Sequence, residues 1–259
     1  DQYDDVLSLQ VLSLGMARFQ QDIIQALVEA LQPRGIWERN DVPVRLLEGM
    51  DQRTGLLYGD VREQVQILEN GIKILVDVKQ GQKTGYFLDQ RENRAALAPF
   101  CPGARVLDVC THTGSFALHA AHYGASQVTA VDISETALIQ ARENARVNNF
   151  SNIDFVLANA FDDLRARSDA GERYDLIVLD PPAFAKNKAS LKGAIKGYKE
   201  INLRALKMLP PGGVLVTCSC SQNMLPDLFR DVIQQAANDA RVDIQLLDWR
   251  GPARDHPTL

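Results

Sequence analysis

The sequence Val106-Leu107-Asp108-Val109-Cys110-Thr111-His112-Thr113-Gly114-Ser115-Phe116 reads as a strand, a tight loop and the start of a helix. At such a turn, backbone N–H groups and the positive end of the helix dipole can face a ligand. Gly114 is the only glycine in the stretch, so the G-x-G-x-x-G fingerprint of nicotinamide dinucleotide sites is absent. The stretch therefore predicts the first strand–helix unit of an α/β domain and disfavours nicotinamide dinucleotide binding.

From Arg105 onward, short apolar runs alternate with amphipathic stretches. Strict alternation of strands and helices predicts the α/β class, with a doubly wound, mostly parallel, Rossmann-like sheet whose ligands bind beyond the carboxyl ends of the strands. The predicted strands are Arg105–Cys110, Gln127–Asp132, Ile153–Leu157, Leu176–Asp180, Val214–Cys218 and Val242–Leu247, and the predicted helices are Ser115–Tyr123, Glu135–Asn148, Phe161–Arg167, Lys196–Met208 and Leu225–Asp239.

The first 80 residues have a different pattern and predict a smaller N-terminal α+β domain. A helix is predicted over Met16–Leu31, and residues 65–76 read as a hairpin turned by Asn70-Gly71. A polar, glycine-containing link at 79–82 suggests domains at 1–80 and 81–259.

Composition excludes several classes of protein. The chain has 259 residues, of which 46% are hydrophobic and 24% charged, and a net charge of −5. It has no apolar stretch approaching roughly 18 residues and no basic-then-apolar N-terminus, so we expect a cytoplasmic protein without a membrane partner. Four cysteines in a chain of this length favour reduced thiols over a disulfide framework.

Polar residues follow three further predicted strands. Asp132 lies 24 residues after Asp108, the place where a carboxylate accepts hydrogen bonds from ribose hydroxyls. Asn159-Ala160-Phe161 offers an amide and a ring suited to an adenine, and Asp180-Pro181-Pro182 forms a stiff loop. Helix capping is the alternative for Asp108 and Asp132.

Together these elements resemble a class I S-adenosylmethionine-dependent methyltransferase. The resemblance is closer to the RlmI-type family, which methylates carbon 5 of cytosine in large-subunit ribosomal RNA. It runs over almost the whole chain, including 41–45, and four motifs carry it: Gly85–Arg91, Asp180–Phe184, Gly197–Asn202 and Ser219–Ser221.

The resemblance implies roles for specific residues. Cys220 is the nucleophile and Asp180 holds the base; ribosomal RNA is the partner, a homodimer is an expectation, and no metal is implied. Residues implied in binding S-adenosylmethionine are Lys83, Phe87, Asp89, Gln90, Arg91, Asp108, Cys110, Thr111, His112, Thr113, Gly114, Asp132, Ile133, Asn159, Ala160, Asp180 and Pro181. Residues implied in binding the substrate are Pro182, Phe184, Lys186, Lys188 and Tyr198.

Three departures from the family pattern are visible. The chain lacks the N-terminal PUA RNA-binding domain and the final strand that family members carry, so we expect a truncated chain. The loop reads Cys-Thr-His-Thr-Gly, where many relatives have an aromatic residue at the place of His112 and a second glycine at Ser115.

The implied chemistry also follows from the reactivity of the groups. Carbon 5 of cytosine is a poor nucleophile, whereas addition of a thiolate to carbon 6 makes carbon 5 reactive. Alternatives remain open: Cys220 as a buried strand-end cysteine, an amino-group or guanine RNA methyltransferase that needs no thiol, and a non-catalytic RNA-binding module. Cys218 is explained by packing, and a C-x-C metal site lacks a second ligand pair.

Basic residues are concentrated in one segment. Six of the nine lysines lie between Lys186 and Lys207, with Arg204 and a single acid, Glu200. RNA phosphates can lie along such a segment, and the alternative is a solvated basic helix. Phe184 and Tyr198 are predicted to stack on an unstacked base.

Overall fold

The computed structural model describes residues 1–185 and 187–256, apart from the side chain of Lys188. These residues belong to two compact units, Asp1–Arg91 and a second that begins at Glu92. The predicted link at 79–82 lies inside the first of these units. The predicted domain boundary near residue 80 stays a prediction.

The first unit contains a four-stranded sheet and a two-stranded hairpin. The sheet has the order β1-β2-β3-β4, with only β2 and β3 parallel. Its core joins Leu7, Ile24 and Ile36, which come from two strands and a helix. The elements are β1 (Gln2–Tyr3), β2 (Val6–Leu9), α1 (Leu14–Ala17), α2 (Gln20–Leu31), β3 (Gly35–Asn40), α3 (Val44–Leu47), β4 (Arg53–Gly59), β5 (Val65–Glu69) and β6 (Ile72–Val76).

Two predictions for this unit have different outcomes. The hairpin is confirmed: β5 pairs with β6 around Asn70 and Gly71, both at positive φ, as a tight hairpin turn requires. The single helix predicted over 16–31 is wrong, because α1 ends at Ala17 and α2 begins at Gln20. Ser13 caps the short α1 by accepting from the Met16 N–H.

The second unit is built around a five-stranded parallel sheet. Its order is β11-β10-β7-β8-β9, so the chain leaves β7 in one direction and returns to its other side at β10. This arrangement confirms the predicted α/β class. The elements are α4 (Arg91–Ala95), β7 (Arg105–Val109), α5 (Ser115–His122), β8 (Gln127–Asp132), α6 (Glu135–Val147), β9 (Ile153–Leu157), α7 (Ala160–Asp169), β10 (Leu176–Leu179), α8 (Leu191–Met208), β11 (Val214–Thr217) and α9 (Pro226–Ala240).

Side chains that alternate along the strands build a core on each face of this sheet. Leu107 and Val109 of β7 pack on one face with residues of α7, α8 and α9. Val106 packs on the other face with residues of α5. Covering both faces explains why these strands are continuous apolar runs rather than alternating polar and apolar ones.

One predicted strand is wrong. Residues 242–247 follow α9 without regular secondary structure and pair with no strand among residues 1–185 and 187–256. An apolar run becomes a strand only where a neighbouring backbone supplies hydrogen bonds, and here Leu246 and Leu247 stay exposed. In the same described ranges, no helix combines the length and the hydrophobicity needed to cross a bilayer.

The strand register brings the predicted loops to one edge of the sheet. Asp180 donates its N–H to Val109 O at 3.2 Å, and Cys218 donates its N–H to Leu179 O at 2.8 Å. The ends of β7, β10 and β11 are therefore level. They lie where the direction of the chain reverses, which is the usual ligand crevice of a doubly wound sheet.

Candidate functional site

The loop between β7 and α5 has an unusual backbone. Cys110, His112 and Gly114 have φ values of 64°, 52° and 84°. Positive φ is uncommon for residues other than glycine, and such strain concentrates at functional sites. A Cβ at Gly114 would lie 3.1 Å from Ala141 Cβ, so glycine is needed there for space as well as for conformation.

Asp108 lies beneath this loop and holds it to the first turn of α5. One carboxylate oxygen accepts from Thr111 Oγ1 at 2.5 Å and from the Ala117 N–H at 2.9 Å. The other oxygen is buried without a hydrogen-bond partner. Burial raises the pKa of Asp108 to about 7, and the charges of Asp180 and Asp132 add to this effect. The bond to Ala117 matches the capping alternative, and cofactor binding by Asp108 stays a prediction.

Asp132 links the same loop to the end of β8. Its carboxylate accepts from the His112 N–H at 2.8 Å and from the Ser134 N–H at 2.9 Å. The cap of α6 is Ser134, which accepts from the Ala137 N–H, so Asp132 is not the capping residue. Each carboxylate oxygen keeps a second lone pair that can accept a hydroxyl proton. Next to it, Ile133 is 70% exposed and offers an apolar surface.

The segment after β9 has a clear structural role. The side chain of Asn159 caps α7 by accepting from the Phe161 N–H at 2.9 Å and the Asp162 N–H at 3.5 Å. The ring of Phe161 packs against Phe184, with 5.7 Å between centroids. The Asn159 carbonyl oxygen is thus engaged in capping, and the predicted contacts of Asn159 and Ala160 with an adenine stay predictions.

The four cysteines have different environments. Cys220 is exposed, Cys110 and Cys218 are half-buried, and Cys101 is buried. Burial raises the pKa of Cys101 to about 11 and that of Cys110 to about 12, so both stay protonated near neutral pH. Cys220 is the most exposed of the four thiols.

Cys220 lies beside the Asp-Pro-Pro segment. Its Sγ is 3.8 Å from the Pro181 carbonyl oxygen. Asp180 is half-buried and Pro182 is exposed at the same place. The structure therefore brings the predicted nucleophile and the predicted base-holding loop together, although they are 40 residues apart in sequence.

Two of the predicted substrate residues form part of the interior. Tyr198 has an exposure of 0%, with its ring centroid 4.7 Å from that of Phe184 and 5.3 Å from that of Phe229. A ring without accessible surface does not stack on a base, so the predicted stacking of Tyr198 is wrong. Phe184 is half-buried and faces Tyr198. Lys186 and the side chain of Lys188 lie outside the described residues.

The basic segment is partly neutralised. Lys199 pairs with Asp239 at 2.8 Å, and Arg204 pairs with Glu200 and with Asp169, both at 2.9 Å. Lys199 and Arg204, two of the five basic residues of α8, therefore lie in ion pairs, which favours the solvated-helix alternative for that part.

The remaining predicted cofactor residues belong to the first unit. Lys83 has a φ of 53°, and its Nζ lies 4.4 Å from the centre of the Phe87 ring. Asp89 and Gln90 lie in the single turn Leu88–Gln90, and Arg91 begins α4. Their binding of a cofactor stays a prediction.

Sequence reasoning missed the hydroxyl groups on both sides of Cys220. Ser219 Oγ donates to Tyr198 Oη at 3.0 Å, and Ser221 Oγ is 3.1 Å from the same oxygen. The motif Ser219-Cys220-Ser221 displays both hydroxyls, and buried hydroxyls usually have a hydrogen-bond partner. No pattern in the sequence showed that Tyr198 is the partner.

Across residues 1–185 and 187–256, no cluster of three or more His, Cys, Asp or Glu side chains is placed to hold a metal ion.

Known proteins resemble this chain over nearly its full length. A model of the S-adenosylmethionine-dependent methyltransferase family matches residues 41–246. Ribosomal RNA large subunit methyltransferase I of Aeromonas salmonicida is 47% identical over 261 residues, covering 99% of this chain and 66% of that protein. The protein of the same name from Aeromonas hydrophila is 48% identical over 262 residues, with the same coverage. The chain therefore spans slightly less than two thirds of the length of these relatives, and the predicted resemblance is confirmed.

Solved structures agree with the fold. A Streptococcus mutans structure described as a SAM-dependent methyltransferase superposes with a TM-score of 0.83 at 25% identity, covering 98% of this chain and 64% of that one. A methyltransferase solved in complex with SAH gives the same TM-score at 26% identity, covering 98% of this chain and 65% of that one.

The crevice suits that cofactor: the Asp132 carboxylate lies at the end of β8 beside the strained loop and the exposed Ile133. The chain belongs to the S-adenosylmethionine-dependent methyltransferase family, and S-adenosylmethionine is its cofactor.

Proposed function

We propose that this chain methylates carbon 5 of a cytosine in large-subunit ribosomal RNA, and that Cys220 forms a covalent adduct with the base. The substrate part of the proposal comes from the relatives at 47% and 48% identity, which are named ribosomal RNA large subunit methyltransferase I. The observation that carries the mechanism is the exposed Cys220 Sγ, 3.8 Å from Pro181 O in the Asp-Pro-Pro segment.

The donor half of the crevice is suited to an adenosyl group. In this proposal Asp132 accepts the ribose hydroxyls, which is supported by the two backbone N–H groups that orient its carboxylate. Ile133 offers an exposed apolar side chain for a base face. S-adenosylmethionine, when bound, supplies a methyl group on a positively charged sulfur, which is transferable to a carbon nucleophile.

In this proposal the residues that act on the base, Asp180 and Cys220, lie in the loops that follow β10 and β11. The Cys220 thiolate adds to carbon 6, so a sulfur–carbon bond forms and electron density moves to carbon 5. Asp180 holds the ring nitrogen and amino edge, which stabilises the charge that develops on the ring. After carbon 5 has gained the methyl group, a base removes its proton, the sulfur–carbon bond breaks and the thiolate returns.

Asp108 affects this site by its charge. Its pKa of about 7 means that the carboxyl is neutral about half the time near neutral pH. A neutral Asp108 removes the repulsion between its own charge and the neighbouring Asp180 and Asp132 side chains.

The test compares Cys220→Ser with Cys218→Ser in the purified chain. Unmodified large-subunit ribosomal RNA and methyl-labelled donor are incubated with each variant, and labelled nucleosides are separated. We expect label on 5-methylcytidine for the unsubstituted chain and for Cys218→Ser, and at least a thousandfold loss for Cys220→Ser, because a hydroxyl is a far weaker nucleophile than a thiolate.

A second measurement uses RNA with 5-fluorocytosine, whose carbon–fluorine bond blocks release of the thiol. A covalent complex that survives denaturation is expected for Cys218→Ser and not for Cys220→Ser. Label on adenine or guanine, or full turnover by Cys220→Ser, would replace the proposal with an amino-group or guanine methyltransferase. Absence of any donor binding would favour a non-catalytic RNA-binding module.

A further inference from the structure

We infer that Tyr198 is a positioning residue that holds the Cys220 loop against the Asp180–Pro182 loop. The inference rests on the proposed attack by Cys220, and it assigns a role to the Gly197-Tyr198 motif of α8. Tyr198 touches neither cofactor nor reacting atoms in this scheme, because its side chain has no exposed surface.

The hydroxyl of Tyr198 joins both sides of the nucleophile. Ser219 Oγ donates to it at 3.0 Å, and it shares a hydrogen bond of 3.1 Å with Ser221 Oγ. Ser219 and Ser221 directly flank Cys220 in sequence. One buried oxygen therefore fixes the residues before and after the reactive thiol, and so sets the direction of the Cys220 side chain.

The same network reaches the loop that holds the base. Ser221 Oγ accepts from the Ala185 N–H at 3.1 Å, and Asn223 Nδ2 donates to Ala185 O at 3.4 Å. Ala185 lies three residues after Pro182. The chain of hydrogen bonds thus runs from Ser219 through Tyr198 and Ser221 to the end of the Asp-Pro-Pro loop.

Ring packing supplies a second link between α8 and that loop. The Tyr198 ring lies 4.7 Å from the Phe184 ring, centroid to centroid. Gly197 leaves space for the Phe184 ring, because a Cβ at residue 197 would lie 3.2 Å from Phe184 Cδ2. Neighbouring residues of α8 therefore set the position of Phe184 by packing and that of Ser221 by hydrogen bonding.

This arrangement is expected to matter for rate more than for binding. A reacting group displaced by about 1 Å from its attack geometry can lose roughly 100-fold in rate. The 3.8 Å separation of Cys220 Sγ and Pro181 O depends on two loops that share no strand ladder at that point. The side-chain network links these two loops beyond the end of the ladder.

The test is Tyr198→Phe, which keeps the ring and removes the hydroxyl. We expect kcat for ribosomal RNA methylation to fall about 10- to 100-fold, with the KM for RNA and the Kd for S-adenosylmethionine unchanged within twofold. Covalent trapping on 5-fluorocytosine RNA should slow by the same factor. A residue that acts only on stability would lower the melting temperature without this selective loss of kcat.

Tyr174→Phe is the matched control. Tyr174 is 1% exposed, and its hydroxyl is bonded to Glu172 Oε2 at 2.5 Å and to Arg167 at 2.9 Å, before β10 rather than after it. Tyr174→Phe also removes a buried hydroxyl, so it should lower stability about as much as Tyr198→Phe does. It should leave kcat unchanged.

The outcomes separate the two proposals. Wild-type kcat in Tyr198→Phe, together with an inactive Cys220→Ser, overturns the positioning role and leaves the covalent mechanism standing. An active Cys220→Ser removes the covalent mechanism itself. If Tyr198→Phe does not fold, Ser219→Ala removes one bond to the same hydroxyl, and an unchanged kcat there overturns the inference.

Discussion

The two halves of the crevice are held together by different kinds of contact. At the ends of β7 and β8, the Asp132 carboxylate accepts from backbone N–H groups of His112 and Ser134. At the ends of β10 and β11, the Tyr198 hydroxyl from α8 bonds to the side chains of Ser219 and Ser221. The donor half, around Asp132, therefore depends on loop backbone. The base half, the loops of Asp180 and Cys220, depends on a residue of the distant helix α8.

This difference implies that substitutions can damage one half and spare the other. Changes near Asp132 and Gly114 should affect binding of the donor. Changes near Tyr198 and Gly197 should affect turnover once the donor is bound. The following variants test that separation.

The largest expected effect is the pH dependence of stability at Asp108. Its pKa is raised from 3.8 to about 7 in the folded chain. Between these values the folded state keeps a proton that the unfolded state has lost, so stability is full below about pH 4 and is lost as pH rises through 7. The contribution is on the order of 4 kcal/mol.

Asp108→Asn should remove this contribution. We expect the difference in unfolding free energy between the variant and the original chain to shift in favour of the variant from pH 5 to pH 8, measured by urea unfolding. A difference that is constant with pH would show that Asp108 does not titrate in this range.

The second-largest effect is expected for Asp132→Ala, which should weaken binding of S-adenosylmethionine. A hydrogen bond to a charged group is worth roughly 1.5–3 kcal/mol, so the Kd for S-adenosylmethionine should rise about 10- to 100-fold in calorimetric titration. Asp154→Ala is the control, since Asp154 is exposed on β9 and bonds to Gln127. Equal Kd values for the two variants would contradict the role of Asp132.

Gly114→Ala tests the strained loop itself. The residue has a φ of 84°, and its new Cβ would lie 3.1 Å from Ala141 Cβ. Strain of about 1–3 kcal/mol should lower stability and raise the Kd for S-adenosylmethionine. Gly103→Ala has a similar φ of 73° with nothing within 4 Å of the Cβ, so it should lower stability alone. Tight donor binding by Gly114→Ala would refute the link between loop and ligand.

Gly197→Ala tests the base half with the smallest change. Its Cβ would press on Phe184 at 3.2 Å, whereas the Cβ of Gly193→Ala, on the same helix, meets nothing within 4 Å. Gly193→Ala should raise stability by up to about 1 kcal/mol through helix propensity. Gly197→Ala should lower kcat several-fold at an unchanged Kd for the donor. Identical kcat values for the two variants would argue against control of turnover by Phe184.

Much of the second unit could be predicted because its signals are local. Each parallel strand was placed within one residue at its carboxyl end, since a buried strand is an apolar run bounded by turn residues. The Asn70-Gly71 hairpin was predicted for the same reason, because the turn requires positive φ. The four-stranded sheet of the first unit was not predicted, since β3 buries polar residues such as Glu38 and Asn40 and β4 has no fully buried residue.

Prediction failed where the outcome depends on neighbours distant in sequence. The run Val242–Leu247 has the composition of a strand but no pairing partner among the described residues. Tyr198 has the chemistry of a stacking residue, yet helix α8 turns its ring into the interior between Phe184 and Phe229. In each case the residue types indicated a plausible role, but the tertiary contacts that decide the role could not be predicted.

The sequence by itself determined the class of the fold and the loops at which polar residues accumulate, because hydrophobic periodicity and turn residues act over short distances. Only the tertiary structure decided that Cys220 reaches the carbonyl of Pro181, and that the hydroxyl of Tyr198 joins the two serines beside it. The physical reason is that a hydrogen bond requires two atoms within about 3 Å, and residues some 20 to 40 positions apart come that close only when strands and helices have packed.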